Sequence, residues 1–307
     1  MCPEARLVSA GQTNPPSECG DAIVPSEIKR IRLGTIHADS LSMSEALDVI
    51  DELIEQRSGG FIVTPNVDHV VLAERSTALR EAYAKAALSL VDGMPLVWAG
   101  YLLGHPFPEK ISGSDLAWPL LQMAARAERR VYLLGGASGV GEIAVGKIRK
   151  QLPGIKVVGI DAPPLGFDRD NLAEREAFDR MQQAGPDLVF VALGCPKQEL
   201  LMHRWFCEGT EAIMVGVGAT LDFISGKVKR APSWMSMNGL EWLYRMTQDP
   251  WRLSKRYLVR DIRIVRIVAR TLMMSSEDRV VYRSRPTARG SNPALSGYTL
   301  QNDGEQE

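Results

Sequence analysis

The chain has 307 residues, and its 36 Lys and Arg residues against 37 Asp and Glu residues give a formal net charge of −1. This balance offers no general reason to bind nucleic acid. Its 45% apolar content is ordinary for a folded protein with a sizeable core. No segment approaches the roughly 18 apolar residues of a transmembrane helix, and the N-terminus lacks the apolar core of a signal peptide. The four cysteines lack the spacing of zinc motifs, so we expect a reduced, cytoplasmic environment.

The order of apolar patterns along the chain predicts the fold class. Residues 1–27 are rich in Pro, Ser, Gly and Asn and predict a flexible tail. A strand or hairpin follows near residues 31–36, and Ser42 or Ser44 is a suitable N-cap for the next helix. Strand and helix patterns then alternate over residues 28–231, which is typical of an α/β core with a Rossmann-like, doubly wound, mostly parallel sheet.

The C-terminal part of the chain differs in pattern and in charge. Residues 232–275 carry helical patterns alone, so we expect an all-helical C-terminal appendage, followed by a second flexible tail at residues 276–307. Eleven basic residues face three acids between positions 227 and 270. In the last helix, one face carries Leu258, Ile262, Val265, Ala269 and Leu272, and the opposite face carries Arg260, Arg263, Arg266 and Arg270. This basic amphipathic pattern suits an anionic membrane surface, with packing on the protein's own domain as the alternative.

Two strand–loop–helix units within residues 61–95 place polar side chains just past the ends of apolar runs. Thr64 and Asn66 follow the first run, and Asp92 follows the second. The carboxyl ends of strands in an open parallel sheet are where ligands bind, so we expect these residues to face one crevice. Asp92 is a candidate general base, because partial burial would raise its pKa. The alternative is an Asp-Gly turn that caps the following helix.

Glycines at residues 135–141 join a strand to a helix. Gly135, Gly136 and Gly139 would let the backbone approach a phosphate, and the helix N-terminus adds unpaired N–H groups and partial positive charge. Asp161 follows the next strand, as in dinucleotide-binding folds, so an NAD-dependent oxidoreductase is one alternative. A nucleotide loop of another kind and a tight structural turn are the others.

Two further motifs lie at predicted helix starts. Asp168 and Asp170 form the D-x-D pair with which metal-dependent sugar transferases hold a cation, but their position directly before a helix favours capping. Gln198 and Glu199 open a helix after a buried strand, where they are placed to hydrogen-bond sugar hydroxyls. Cys195 has no base beside it in the sequence, so it is not predicted to be a nucleophile.

Seven sequence blocks occur in one order: TPNVDH, DGMPLVW, KISGSDL, LLGGASGVGE, GPDLVFVALGCPKQE, GVGATLDFISGKVKRAP and NGLEWLYRMTQDPWRLSKRYL. In this combination the chain resembles the WecG/TagA/CpsF family of bacterial glycosyltransferases (glycosyltransferase family 26) over about residues 30–272. The resemblance implies inverting, metal-independent transfer of a hexose or N-acetylhexosamine-type sugar from a UDP-sugar to a polyprenyl-diphosphate-linked saccharide. Such a step serves exopolysaccharide, capsule or other cell-surface polymer biosynthesis. A non-catalytic nucleotide-sugar-binding scaffold of a polysaccharide assembly complex is the non-enzyme alternative.

The resemblance also implies roles for individual residues. Asp92 would deprotonate the acceptor hydroxyl, with Thr64 and Asn66 positioning substrate beside it and Gln198 lining the same pocket. Lys110 stands where the family often has Arg, which keeps the charge but not the bidentate geometry. The full set of predicted substrate-binding residues is Lys110, Asp115, Gly135, Gly136, Gly139, Gln198, Glu199, Arg245, Arg252 and Arg256.

The resemblance further implies the protein's partners and location. We expect a UDP-sugar donor, a lipid-linked acceptor and contact with the membrane surface through the basic C-terminal helices. No metal, no other cofactor and no nucleic acid are expected, and a homo-oligomer is compatible with the pattern. The expected location is the cytoplasmic side of the bacterial plasma membrane, as a peripheral protein.

Overall fold

The computed structural model describes residues 27–164, 166–228 and 262–285, together with residues 235 and 244. Residues 1–26 of the predicted N-terminal tail and most of the predicted appendage lie outside these ranges, and Glu27, the last residue of that predicted tail, belongs to a strand. The strands of the described part are β1 (Glu27–Leu33), β2 (Ile36–Asp39), β3 (Gly60–Val63), β4 (Leu88–Ser89), β5 (Arg130–Gly135), β6 (Lys156–Asp161), β7 (Leu188–Ala192), β8 (Ile213–Gly216) and β9 (Val280–Ser284).

The strands form two separate sheets. Six of them make a parallel sheet in the order β4-β3-β8-β7-β5-β6, and the other three make an antiparallel sheet in the order β2-β1-β9. The parallel sheet confirms the predicted Rossmann-like α/β fold, and the β1–β2 hairpin confirms the predicted first element. The chain leaves β5 toward β6 but leaves the adjacent β7 toward β8, so the crevice between β5 and β7 is a topological switch point.

The first helix begins after Ser42, one of the two N-caps that the sequence predicts, and the other helices of the described part follow in chain order. The helices are α1 (Met43–Glu55), α2 (Val67–Ala73), α3 (Thr77–Lys85), α4 (Met94–Leu102), α5 (Gly113–Arg126), α6 (Val140–Gln151), α7 (Asn171–Ala184), α8 (Lys197–Cys207), α9 (Thr220–Ser225) and α10 (Arg263–Leu272). Ser42 and Glu45 form a capping box at the start of α1, and Ser112 and Asp115 form another at α5. Such boxes satisfy the helix N–H groups that have no intrahelical acceptor.

The parallel sheet is buried on both faces. In β3, Phe61 and Val63 belong to the core on one side and Ile62 to the core on the other. All residues of β3, β7 and β8 are buried. This is expected for parallel strands covered by helices on both faces, and it leaves the strand ends as the places where polar side chains can gather.

Helix α10 is amphipathic, as the sequence predicts, but its predicted apolar face is not the one that packs. Ile267 and Thr271 are buried where the helix meets β1 and α2, whereas Val265 is 67% exposed and Leu272 is 38% exposed. The exposed arginines of the helix are Arg263, Arg266 and Arg270. The helix therefore has a packed face, an exposed apolar face and a basic face. No helix in the described ranges is both long and apolar enough to cross a membrane.

Strand β9 lies within the segment that the sequence predicts as a flexible tail. Its five residues pair with β1 in register from Glu27↔Ser284 to Ile31↔Val280. Arg283 of this strand donates a hydrogen bond of 2.9 Å to the carbonyl oxygen of Ala86, just before β4. The prediction is thus corrected for residues 280–284, because pairing with a strand about 250 residues away stabilises a short segment that shows no pattern of its own.

Candidate active site

Asp92 lies just beyond the end of β4, at the carboxyl edge of the parallel sheet. Its backbone N–H donates to the carbonyl oxygen of Pro65 at 2.8 Å, which joins the loop after β4 to the loop after β3. Asp92 is partly exposed. Gly93, with φ of +102° and no side chain, occupies the N-cap of α4. Asp92 is therefore not the N-cap of α4, which was the alternative interpretation of the Asp-Gly turn.

The loop after β3 places Thr64 and Asn66 at the same edge. Thr64 is 5% exposed, and its hydroxyl lies 3.5 Å from the carbonyl oxygen of Gly216, at the end of β8. Asn66 is the N-cap of α2 and accepts a hydrogen bond of 3.3 Å from the N–H of His69. At the start of α5, a Cβ added to Gly113 would lie 3.4 Å from the Thr64 hydroxyl. The structure thus brings together the two loops and the first turn of α5.

Gln198 connects the loops that follow β7 and β8. Its side-chain oxygen accepts hydrogen bonds from the N–H groups of Gly194 and Gly218, both at 3.2 Å. Its side-chain nitrogen donates to Glu199 at 2.9 Å, and Gln198 is only 3% exposed. Both ends of the amide are used internally, so its predicted contact with a sugar hydroxyl stays a prediction. The hydrogen bonds also give Gln198 a structural role, because they connect the loop after β7 to the loop after β8.

A buried polar network that the sequence analysis missed lies behind these loops. Nδ1 of His69 is 2.7 Å from the Tyr83 hydroxyl and 3.8 Å from Oε1 of Glu199. Burial raises the pKa of Tyr83 well above its ordinary value, and the negative charges of Glu199, Cys195 and Asp92 raise it further. Three different helices or their flanking loops supply these groups, so no spacing in the sequence identifies the network.

The same network contains three side chains of types that bind metal ions. Ligand atoms of His69, Cys195 and Glu199 lie within 4.8 Å of one another. Glu199 is fully buried, and its Oε2 has no hydrogen-bond partner within the described structure. Nδ1 of His69 is already within hydrogen-bond distance of Tyr83. The arrangement therefore fits a hydrogen-bonded cluster at least as well as a metal site.

The D-x-D pair is engaged in local structure. Asp170 is the N-cap of α7 and accepts hydrogen bonds from the N–H groups of Leu172 at 3.0 Å and Ala173 at 3.3 Å. Asp168 lies 3.5 Å from Nζ of Lys197. The capping interpretation is confirmed for Asp170, since its Oδ1 accepts two backbone N–H groups.

The glycine loop leaves the N-terminus of α6 open beside the switch point. Gly135, Gly136 and Gly139 have φ of +102°, +80° and +79°. A Cβ on Gly135 would lie 2.5 Å from the carbonyl oxygen of Ala192, whereas a Cβ on Gly139 would have nothing within 4 Å. No side chain caps α6 at Gly139. An anion could therefore approach the first N–H groups of the helix.

Asp161, the acid that a dinucleotide site would use, is paired with a protein side chain. Its Oδ2 lies 2.8 Å from Nη2 of Arg180 and accepts a hydrogen bond of 2.9 Å from Nε. Gly141 serves packing, since a Cβ there would lie 2.4 Å from Cγ2 of Ile160. The ion pair accounts for Asp161 and the close packing accounts for Gly141, without a dinucleotide in either case. The two residues therefore give little support to an NAD-dependent oxidoreductase.

Lys110 and Asp115 contact each other at the start of α5. Nζ of Lys110 pairs with Oδ2 of Asp115, which also accepts a hydrogen bond of 2.6 Å from the Ser112 hydroxyl. Both side chains are partly exposed. Their roles in substrate binding stay predictions. The three predicted arginines of the appendage lie outside the described residues; they are Arg245, Arg252 and Arg256.

Comparisons with known proteins identify the family of the chain. The model of the glycosyl transferase WecG/TagA/CpsF family matches residues 31–278. An N-acetylglucosaminyldiphosphoundecaprenol N-acetyl-beta-D-mannosaminyltransferase of Bacillus spizizenii is 35% identical over 201 residues, which cover 65% of this chain and 76% of the relative. The protein of that name from Bacillus subtilis (strain 168) is 33% identical over 225 residues, covering 72% of this chain and 86% of the relative. The chain belongs to the WecG/TagA/CpsF family of glycosyltransferases.

Proposed function

We propose that the protein transfers a hexose or N-acetylhexosamine-type sugar from a UDP-sugar to a saccharide carried on polyprenyl diphosphate, in the synthesis of a cell-surface polymer. The names of both relatives describe transfer of N-acetylmannosamine to a sugar on diphosphoundecaprenol, which supports a lipid-linked acceptor. The observation that carries the proposal is the position of Asp92. Its partly exposed carboxylate lies at the carboxyl edge of the sheet, and its backbone is bonded to the loop that holds Thr64 and Asn66.

The proposed chemistry is a single displacement with inversion. The acceptor oxygen forms a bond to the anomeric carbon of the donor while the bond from that carbon to the UDP oxygen breaks. The electron pair leaves with UDP, and the proton of the acceptor hydroxyl passes to Asp92. A general base of this kind contributes about 10²–10⁴ in rate.

The leaving diphosphate requires positive charge or N–H donors. The uncapped N-terminus of α6, next to Gly139, offers both at the switch point. Lys110 lies near the first turn of α5, and the proposal assigns Arg245, Arg252 and Arg256 to the same leaving group. A metal-independent mechanism is supported by the role of Asp170, since a carboxylate that caps α7 is not arranged to hold a cation on the diphosphate.

The proposed acceptor is attached to a lipid, so the protein would work at a membrane surface. Arg263 and Arg266 on α10 are exposed, while Arg270 lies 2.6 Å from Glu74. Basic residues on an amphipathic helix favour an anionic surface by about 1 kcal/mol each. We therefore propose peripheral association through this helix.

Substitution of the proposed base gives the direct test. Asp92→Asn should lower kcat by about 10²–10⁴, because the amide cannot accept the proton. UDP release from a panel of UDP-sugars, with a purified polyprenyl-diphosphate-linked saccharide as acceptor, measures this. The matched control is Asp170→Asn, which should keep full activity because Asn caps helices as well as Asp. Full activity of Asp92→Asn would contradict the role of Asp92, and loss of activity in Asp170→Asn or in EDTA would contradict metal independence.

A further inference from the structure

The carboxylate of Glu199 lies in the interior of the protein with few partners. It belongs to the first turn of α8, where an acid favours the helix dipole, but an acid that serves the dipole alone can stay in water, and Glu199 is 0% exposed. Its Oε1 accepts a hydrogen bond from Gln198, and its Oε2 accepts none from the part of the chain that the structure describes. Burying a carboxylate is costly unless it is paired and hydrogen-bonded. The burial of Glu199 therefore indicates a task beyond the dipole of α8.

The amide of Gln198 takes its orientation from Glu199. Its Oε1 accepts from the N–H groups of Gly194 and Gly218, and its Nε2 donates to Oε1 of Glu199 at 2.9 Å. Rotation of the amide by half a turn would set its NH₂ group against two N–H donors and its oxygen against the carboxylate. Because an ionised carboxylate only accepts, it excludes the rotated form. Glu199 thereby keeps the loops after β7 and β8 joined through Gln198.

The loop after β7 is in turn connected to the glycine loop at residues 135–141. The N–H of Gly136 donates to the carbonyl oxygen of Ala192 at 3.1 Å, at the end of β7. Gly135 lies so close that a Cβ there would be 2.5 Å from the same oxygen. The position of the glycine loop therefore depends on the end of β7 and on the loop that Gln198 binds at Gly194.

On its other side, Glu199 faces the helix that has Asn66 as its N-cap. Oε1 of Glu199 is 3.8 Å from Nδ1 of His69, and the N–H of His69 donates to Oδ1 of Asn66 at 3.3 Å. The Tyr83 hydroxyl lies 2.7 Å from the same Nδ1. Burial and the negative charge of Glu199 raise the pKa of Tyr83, so the phenol keeps its proton at neutral pH. One carboxylate thus lies between the helix that follows the β3 loop and the loop after β7.

We propose that Glu199 is a positioning residue that sets the separation between an acceptor side and a donor side of the site. The acceptor side is the loop after β3, whose Pro65 is bonded to Asp92, and the donor side is the glycine loop. An in-line displacement needs the acceptor oxygen and the leaving diphosphate in a fixed geometry, and a misplacement of about 1 Å can cost about 10²-fold in rate. Because Glu199 is buried, it acts through Gln198 and His69 rather than on a substrate. This inference rests on the proposed function for the reaction concerned.

Two substitutions of Glu199 separate positioning from proton transfer. Glu199→Gln keeps the length of the side chain and an oxygen that can accept from Gln198, so kcat should fall by about fivefold or less. Glu199→Asp keeps the charge but loses one methylene of reach, so kcat should fall by about 10²-fold. Calorimetry should give both variants a Kd for UDP within about twofold of the wild type, because a positioning residue acts on kcat. If the Asp variant were more active than the Gln variant, Glu199 would be a proton-transfer group and the inference would be wrong.

A change at the opposite end of β7 is the matched control for stability. Asp187 directly precedes this strand at the amino edge of the sheet, and its Oδ1 lies 3.0 Å from Nη2 of Arg130. Asp187→Asn and Glu199→Asp should both lower the melting temperature, but Asp187→Asn should leave kcat per folded molecule unchanged. If Glu199→Asp also kept the wild-type kcat per folded molecule, its role would be structural alone, which would overturn the inference.

A double-mutant cycle measures whether Glu199 and His69 act as one unit. His69→Gln removes the ring nitrogen beside Glu199, and its combination with Glu199→Asp should lower kcat by clearly less than the product of the two single losses. The combination of Glu199→Asp with Asp187→Asn should instead show independent effects. Independent effects of His69 and Glu199 would contradict the proposed link between the two sides.

Elemental analysis and the activity of the wild type complete the test. A metal-free wild type is expected, and a stoichiometric metal that Glu199→Asp loses would assign His69, Cys195 and Glu199 to a metal site and reject the positioning role. If the wild type transfers sugar and Glu199→Asp matches it, only the positioning role fails. If the wild type binds UDP but transfers no sugar to any acceptor, the proposed function fails, and this inference fails with it.

Discussion

The two sheets of this protein differ in what their interiors contain. In the parallel sheet, β3, β7 and β8 are apolar and buried along their whole length, and polar groups appear only where the strands end. The antiparallel sheet buries charges within its strands. Arg30 of β1 and Asp39 of β2 are 7% and 2% exposed, with Nε and Oδ1 2.8 Å apart.

The two sheets also differ in the parts of the molecule that they support. The loops at the carboxyl ends of the parallel strands carry the proposed site residues, while the antiparallel sheet holds the edge strand β4 that precedes Asp92. Oδ2 of Asp39 accepts a hydrogen bond of 2.6 Å from the N–H of Ser89 in β4. Arg283 of β9 donates to the carbonyl groups of the two residues before β4, and its Nη2 lies 3.9 Å from Asp39. The buried charges of the antiparallel sheet thus hold the strand that leads into the loop of Asp92, the proposed base.

The largest effect that tests this comparison is expected at Asp39. Asp39→Asn keeps an acceptor for Ser89 but leaves the guanidinium groups of Arg30 and Arg283 without a buried counter-charge. Breaking a buried ion pair in this way costs about 3–5 kcal/mol, which urea denaturation would show as a lower midpoint. In the control, Glu128→Gln breaks an exposed pair with Lys156 and should leave the curve in place. If both variants unfolded at the same urea concentration, the buried charges would not be what holds β4.

A smaller effect is expected in the parallel sheet, at Gly139 in the loop that follows β5. Asp at this position would cap α6 and tolerate the positive φ, but its charge would repel a diphosphate at the helix N-terminus. The KM for the UDP-sugar should rise about tenfold, while Gly139→Asn, which has the same shape and no charge, should bind the donor nearly as well as the wild type. An unchanged KM in Gly139→Asp would show that the loop after β5 does not hold the diphosphate.

The sequence predicts the parallel sheet well because its signals are local. Apolar runs such as Leu188–Ala192 are followed by polar helix starts, and capping residues such as Ser112 mark helix boundaries within one turn. The meeting of Thr64, Asn66 and Asp92 at one edge follows from parallel strand direction alone. These parts of the candidate site could be predicted without the structure.

The remaining features depend on partners that are distant in the chain. Val280–Ser284 becomes a strand because β1 is beside it, and no local pattern specifies that pairing. The sequence shows that α10 is amphipathic, but which apolar side chains pack is decided by contact with β1 and α2. His69 and Tyr83 meet because α2 and α3 pack together, so neither residue type nor spacing reveals their contact.

The smallest expected effect is the pH dependence of the unfolding free energy, which depends on His37 in the charged interior of the antiparallel sheet. Burial lowers the pKa of His37 in β2 to about 4, and the positive charges of Arg30 and Arg32 contribute to the fall. The unfolded chain has a His pKa near 6.5. The stability linked to the neutral imidazole is therefore fully present above about pH 6.5 and is lost as the pH falls toward 4. Because His37 is only partly buried, we expect solvent screening to reduce this contribution to about 1 kcal/mol.

The unfolding free energy of the wild type relative to His37→Gln should fall by this amount between pH 7 and 4.5, since Gln carries no charge at either pH. A constant difference across this range would mean that neither burial nor the charges of Arg30 and Arg32 lower the pKa of His37 in the folded protein.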